Sequence, residues 1–199
     1  MVLVELLAGF ITSVISQIGY AGVFFLMVLE SALIPIPSEV IMPFSGFLVA
    51  TGEFNFFYVL AAGTLGNLVG SVISYYIGSS VGRNLILKYG KYVFIDEGHL
   101  NLADRWFKKF GDWIIFISRN LPAVRTYISL PAGVTKMNII KFSIYTFIGS
   151  VPWNALLLYA GVLMGQKWET ILKYTTFLDV AVIISGIAFA IWFLRKRIK

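Results

Sequence analysis

Residues 20–52 read YAGVFFLMVLESALIPIPSEVIMPFSGFLVATG. Tyr20 to Leu33 would rise about 21 Å as a helix and Ser38 to Ala50 about 20 Å, so neither apolar arm alone crosses a hydrocarbon core of about 30 Å. Pro35 and Pro37 break the helix between the arms, because proline lacks a backbone donor and disfavours helix in the residue before it. The stretch therefore reads as a re-entrant hairpin with Pro35 and Pro37 at its tip and Glu30 and Glu39 on either side. A second stretch, WIIFISRNLPAVRTYISLPAGV at 113–134, has the same anatomy. It comprises a short apolar arm, Pro122, then a short helix ending at Pro131, Ala132 and Gly133, and it defines a second hairpin over 111–135.

Three other runs are long enough to span: 56–79, 139–165 and 174–194. The last is followed at once by Arg195, Lys196, Arg197 and Lys199. The positive-inside bias puts that end in the cytoplasm, and counting back puts the basic loop 83–109 there too. The second hairpin then enters from the cytoplasmic side and the first from outside. Residues 1–19 either cross the membrane or lie flat at its interface as an amphipathic helix; Gln17 and Gly19, arriving before a span is complete, favour the flat helix. Glu5 stands where a signal peptide would carry Lys or Arg, which argues against cleavage. Residues 80–110 read as a cytoplasmic amphipathic segment.

Composition agrees with this reading. Of 199 residues 58% are apolar and 13% charged, with mean hydropathy +0.83, whereas a soluble domain carries about 25% charged residues. The fold class is an all-α integral membrane protein in one transmembrane domain, with three to four spanning helices and two opposed re-entrant hairpins. The net charge of +6 sits in loops that flank spans, so it marks topology rather than a nucleic-acid partner. There is no cysteine, and no Ser/His/Asp set, HExxH, P-loop or GxGxxG occurs. The chain thus reads as a non-enzyme without metal or cofactor. The lone His99, among Asp96, Glu97 and Asp104, reads as a solvated loop residue.

The two halves resemble each other. Gly66, Gly78 and Gly82 each lie 83 residues before Gly149, Gly161 and Gly165, Gly46 lies 87 before Gly133, and Glu39 lies 86 before Arg125. Halves entering from opposite faces form an inverted repeat, whose binding site falls near the midplane. The glycine pairs also match small-xxx-small helix packing.

Glu30, Glu39, Arg119 and Arg125 all fall within the hairpins. Four unpaired charges at membrane centre would cost roughly 10–14 kcal/mol, at about 2.5–3.5 kcal/mol each. They must face one another, a wet cavity or a polar ligand. Arg119 and Arg125 flank Pro122, and their planar forks suit phosphate oxygens. The helices starting after Pro122 and at Ser38 turn positive N-terminal ends toward the tips. Glu39, with Glu30, is the candidate for proton coupling, and Asn67, Asn120 and Asn154 are candidates for lining the cavity.

The segments E30-S-A-L-I-P-I-P-S-E39, G46-F-L-V-A-T-G52, Y75-Y-I-G-S-S-V-G-R83, R119-N-L-P-A-V-R125 and S129-L-P-A-G133, with Met137 and Phe142, resemble the DedA family of membrane proteins. They are similar also to the VTT-domain lipid scramblases of eukaryotes. The resemblance implies opposed re-entrant hairpins and a link to transbilayer movement of polyprenyl phosphates or phospholipids and to the proton motive force. It marks Glu39, Arg119 and Arg125, and with them Glu30, as functional residues. The acid that some relatives carry soon after the first hairpin is matched here only by Glu53.

The expected function is a plasma-membrane transporter that binds the phosphate of a polyprenyl phosphate carrier lipid at Arg119 and Arg125 and returns the carrier to the cytoplasmic face. Protons, and a second copy of the chain, are further candidate partners. The alternatives are a phospholipid flippase or scramblase without proton coupling, and a proton-coupled exporter of small cations or drugs.

Overall fold

Helix breaks fall where proline and left-handed backbone put them. The structure, a computed structural model, describes residues 2–34, 36–89, 105–107 and 110–165. Helix α1 (Val2–Ile18) leads through Gly19, at φ 68°, into α2 (Tyr20–Ser31). That helix ends in a turn with Leu33 at φ 72°, where Ile34 N donates to Leu29 O at 3.1 Å. Helix α3 (Ser38–Ala50) starts after Pro37, and α4 (Phe56–Tyr89) follows. The second half holds α5 (Trp113–Ser118), α6 (Pro122–Arg125), α7 (Ser129–Val134) and α8 (Ile139–Met164). No strand occurs among the described residues.

Two of these helices, over Phe56–Ser80 and Ile139–Met164, are long and apolar enough to cross a membrane. The proline-flanked arms are not: α2 and α3, with 12 and 13 residues, rise about 18 and 20 Å. Helix α4 runs on to Tyr89, and its part long and apolar enough to span is Phe56–Ser80, beside the 56–79 read from the sequence. One detail differs from the sequence reading. The single short helix expected after Pro122 is instead two, α6 and α7, separated by a turn at 126–128. With only one turn, α6 has no macrodipole to aim at a ligand, which removes one of the two expected positive helix ends. Pro35, His99, most of segment 80–110, the expected span 174–194 and the basic C-terminal cluster lie outside the described residues.

The same turn leads into both long helices. Helix α3 closes with Gly52 at φ 83°, Gly52 N donating to Val49 O (3.1 Å) and Glu53 N to Leu48 O (3.0 Å). Helix α7 closes with Lys136 at φ 52°, Lys136 N donating to Gly133 O (2.9 Å) and Met137 N to Ala132 O (3.1 Å). Both pairs satisfy carbonyls that a helix end would strand. The Oδ1 of Asn55 then accepts from the backbone of Phe57 and Tyr58, and that of Asn138 from Ile140 and Lys141. Asn138→Ala is expected to cost about 1 kcal/mol by loss of this cap. Lys136→Gly is expected to add about 0.5–1 kcal/mol by relieving left-handed strain on an exposed side chain. Unfolding midpoints in detergent micelles, moving in opposite directions, check both.

Glycines set the packing. Gly66 and Gly70 of α4 face the backbone of Phe24 and Val28 on α2, while Gly78 of α4 and Gly133 of α7 meet at Leu130 and Tyr75. Gly149 of α8 faces Phe116 on α5, while Gly161 of α8 and Gly46 of α3 meet at Pro43 and Leu158. Each long helix thus packs on the first arm of its own half and the second arm of the other. Two apolar clusters result. One joins Ile11 and Ile15 of α1 to Leu26, Met27, Ile41, Met42, Val59 and Leu158; the other joins Tyr75, Ile114, Ile115, Ile128, Ala132 and Phe142.

Candidate functional site

Between the two clusters the long helices turn polar. On α8 the buried residues Phe142, Thr146, Ser150, Asn154 and Leu158 recur every fourth position, so they share one face with the hydroxyls and amide in the middle. On α4 the buried Thr64, Asn67, Ser71 and Ser74 follow the same helical period. Asn67 and Ser150 stand near the midpoints of their spans.

Arg125, at the end of α6, is the hub. Its Nη2 donates to Glu30 Oε1 at 2.9 Å, to Glu39 Oε1 at 3.2 Å, and to the Ser38 hydroxyl. These partners come from α2 and from the first turn of α3, 95 and 86 residues away in sequence. The Glu30 side chain is 7% exposed and that of Glu39 47%, so one carboxylate is sealed and the other reaches the boundary. The guanidinium carbon of Arg125 lies 5.5 Å from the centroid of the Trp153 ring, in range for a cation–π contact. Glu39 also sits in the first turn of α3, where the helix N-terminus favours an anion.

Arg119, capping α5, is held differently. Its Nη1 donates to Ser71 Oγ (2.8 Å) and to the Arg125 carbonyl (2.9 Å), its Nη2 to Ser129 Oγ (3.0 Å) and Thr146 Oγ1 (3.1 Å). All four acceptors are neutral, and they come from α4, α6, α7 and α8. A point-like ammonium has no such planar fork. Arg119 therefore ties α5, α6 and α7 to both long helices.

Both arginines face a cavity with room for about one water molecule. Glu30, Asn67, Trp153 and Asn154 share its wall. Three buried donors there, Arg119 Nε, Arg125 Nε and Trp153 Nε1, and one acceptor, Asn154 Oδ1, have no hydrogen-bond partner among the described residues. Native proteins pair such atoms with few exceptions.

Of the residues singled out from sequence, Glu30, Glu39, Arg119, Arg125, Asn67 and Asn154 converge here. Asn120 does not: its amide donates to Phe116 O on its own arm at 3.3 Å. Glu53 lies apart, accepting from Thr51 at an exposed turn. The sequence reading missed Ser31, Ser38, Ser71, Ser129, Thr146 and Trp153. Only the polar stripe at four-residue spacing on α8 could have signalled any of them.

The VTT domain matches residues 34–163. The chain belongs to the VTT-domain family, the DedA family of membrane proteins. It is 32% identical over 184 residues to undecaprenyl phosphate transporter A of Bacillus subtilis (strain 168), covering 92% of this chain and 91% of the relative. It is 33% identical to undecaprenyl phosphate transporter A of Staphylococcus aureus (strain NCTC 8325 / PS 47), covering 95% and 98%. It is also 35% identical to an alkaline phosphatase-like protein of Lactococcus lactis subsp. lactis (strain IL1403), covering 94% and 92%. No solved structure matches. The family places the chain in a membrane, and among the described residues the two long apolar helices are the candidate spans. Among the described residues no cluster of three His, Cys, Asp or Glu side chains is arranged to hold a metal ion.

Proposed function

We propose that this family member carries a polyprenyl phosphate of the undecaprenyl type across the plasma membrane, in step with protons. The observation that carries the reading is the Arg125 hub: a buried guanidinium at mid-span, already bound to two carboxylates and bordering a cavity edged by further unpaired donors. A phosphate monoester offers the same planar-fork acceptors as a carboxylate. The cavity is too small for it while both glutamates hold Arg125, so the headgroup enters by exchange with them. Protonating Glu30 or Glu39 weakens its hold on Arg125 and favours that exchange, so proton and phosphate load together. The isoprenoid tail stays in lipid, and only the headgroup needs the polar site. Helices α2–α3 and α5–α7 serve as opposed re-entrant hairpins of an inverted repeat. Reciprocal glycine contacts and the matching turns before α4 and α8 support that arrangement. Charged donors on the cavity wall disfavour a cation exporter, and the names of the two transporter relatives support the carrier lipid.

The test is transport in proteoliposomes containing both a polyprenyl phosphate and a zwitterionic phospholipid, with and without a pH gradient. Selective movement of the phosphate lipid, faster with the gradient, is expected. Equal movement of both lipids, indifferent to the gradient, would instead identify a scramblase.

A further inference from the structure

Two asparagines connect the buried carboxylate to the cavity wall. An ionised Glu30 can only accept hydrogen bonds. Asn67 therefore turns its Nδ2 toward Glu30 Oε2 (3.1 Å), which leaves its Oδ1 facing Asn154. That oxygen in turn makes Asn154 donate with its own Nδ2 (2.8 Å). What remains is Asn154 Oδ1, an acceptor on a fully buried residue that lines the cavity and has no partner among the described residues. Arg119, Arg125 and Trp153 line the same cavity, and their Nε, Nε and Nε1 donors are left open in the same way. The residues of this one cavity thus carry three open donors of the right polarity for an anion and one open acceptor of the wrong one.

We propose that Asn67 and Asn154 form an amide relay that presents the protonation state of Glu30 to the phosphate site: ionised Glu30 sets Asn154 oxygen-first against the cavity, and neutral Glu30 sets it NH2-first. When Glu30 gains a proton, its new O–H donates to Asn67 Oδ1, Asn67 Nδ2 donates to Asn154 Oδ1, and Asn154 Nδ2 is released to the cavity. The only covalent change is the O–H bond that a proton from solvent forms on the carboxylate oxygen; the rest is the turning of two amides and an exchange of hydrogen bonds. The hydroxyls beside the relay, Ser31 against Asn67 (2.6 Å) and Thr64 against Asn154 (3.3 Å), donate or accept by rotation and so fit either setting. Both arrangements keep the Glu30–Asn67–Asn154 chain intact, which makes the pair a two-position element. The charged groups around Glu30 are Arg125 from α6, Glu39 from α3 behind it, and Arg119 from α5 across the cavity. None of them bonds either asparagine, so the relay is a path distinct from the competition for Arg125. Asn154 is on this account a positioning and specificity residue: it gives the neutral-Glu30 state an extra donor for a phosphate and the ionised state an acceptor that repels one.

The relay rests on the phosphate reading above, and the experiment separates the two. Binding of farnesyl phosphate to the purified full-length protein in micelles is measured in mildly acidic and mildly alkaline buffer, for wild type and Asn154→Leu. The variant is expected to lose about tenfold more affinity in acid than in alkali, because only the acid state has a donor to lose. An equal loss in both buffers, or a larger one in alkali, overturns the relay and leaves the phosphate site standing. A wild type that binds no farnesyl phosphate in either buffer overturns both. Should Asn154→Leu not fold, side-chain 15N resonances decide the matter. The Asn154 NH2 pair of wild type is expected to shift with ligand in acid only, and that of Glu30→Gln in both buffers. A Glu30→Gln protein that keeps the wild-type dependence on pH overturns the relay.

Discussion

Arg125→Ala is expected to abolish carrier transport, by at least about a hundredfold, and to lower stability by about 3–5 kcal/mol. The two effects have separate causes. Removing the guanidinium strands Glu30, whose side chain is 7% exposed, and a buried charge without its partner is among the largest costs a single substitution can impose. Glu39 suffers less, because its side chain is 47% exposed and turns to the boundary. Transport falls for another reason: the phosphate loses the one group whose fork it must take from the glutamates. The double variant Glu30→Gln with Arg125→Gln separates these causes. It removes both charges together, so it is expected to recover most of the lost stability while transport stays absent. Unfolding in micelles and flux in proteoliposomes read the two quantities. Wild-type flux from a well-folded double variant would mean that the hub is a structural lock and nothing more.

The second large effect lies at the glycine crossings. A Cβ on Gly133 would stand 2.0 Å from Tyr75 O, and one on Gly161 2.1 Å from Pro43 O. Both obstacles are helix backbone, which cannot swing aside as a side chain can. Gly133→Ala or Gly161→Ala must therefore push α7 off α4, or α3 off α8, and with them move Ser129 and Ser71, or Ser38 and Asn154, of the polar site. A cost of about 3 kcal/mol is expected for either, at the upper end for overpacking. Gly9→Ala is the control, since nothing lies within 4 Å of its Cβ position in α1. It is expected to stabilise by up to about 1 kcal/mol through helix propensity. A Gly133→Ala protein with the wild-type midpoint would show that α4 and α7 do not touch as described.

How far the sequence reaches is clearest at the proline breaks. Helix α2 ends at Ser31 and α3 begins at Ser38, bracketing Pro35 and Pro37, because proline's missing donor acts on its own turn and on nothing distant. The same local rule places the start of α6 at Pro122. The second break, at 126–128, has the same local cause, which a single helix running up to Pro131 leaves out: Pro131 has no N–H for Tyr127 O and its ring crowds that carbonyl, which accepts from Leu130 N instead. In the site, charged residues were conspicuous because a charge in an apolar stretch has a large cost wherever it lies. The hydroxyls were not. A buried serine in a helix can bond its own backbone, as Ser45 does to Ile41 O at 2.8 Å, so nothing in its neighbours marks Ser71 or Ser129 as a ligand of Arg119.

The amino-acid order by itself determined the apolar run lengths, the breaks between half-length arms, and the presence of four charges that oil would not tolerate alone. All of these follow from bonds and solvation within a few residues. Only the tertiary structure decided the partners. It gave Arg125 to two glutamates and Arg119 to neutral oxygens, set Asn120 outside the cavity, and brought Glu30 to an arginine 95 residues away. Such choices depend on how each helix is rotated and how closely glycine lets backbones approach, quantities summed over the whole packed assembly and written at no single position.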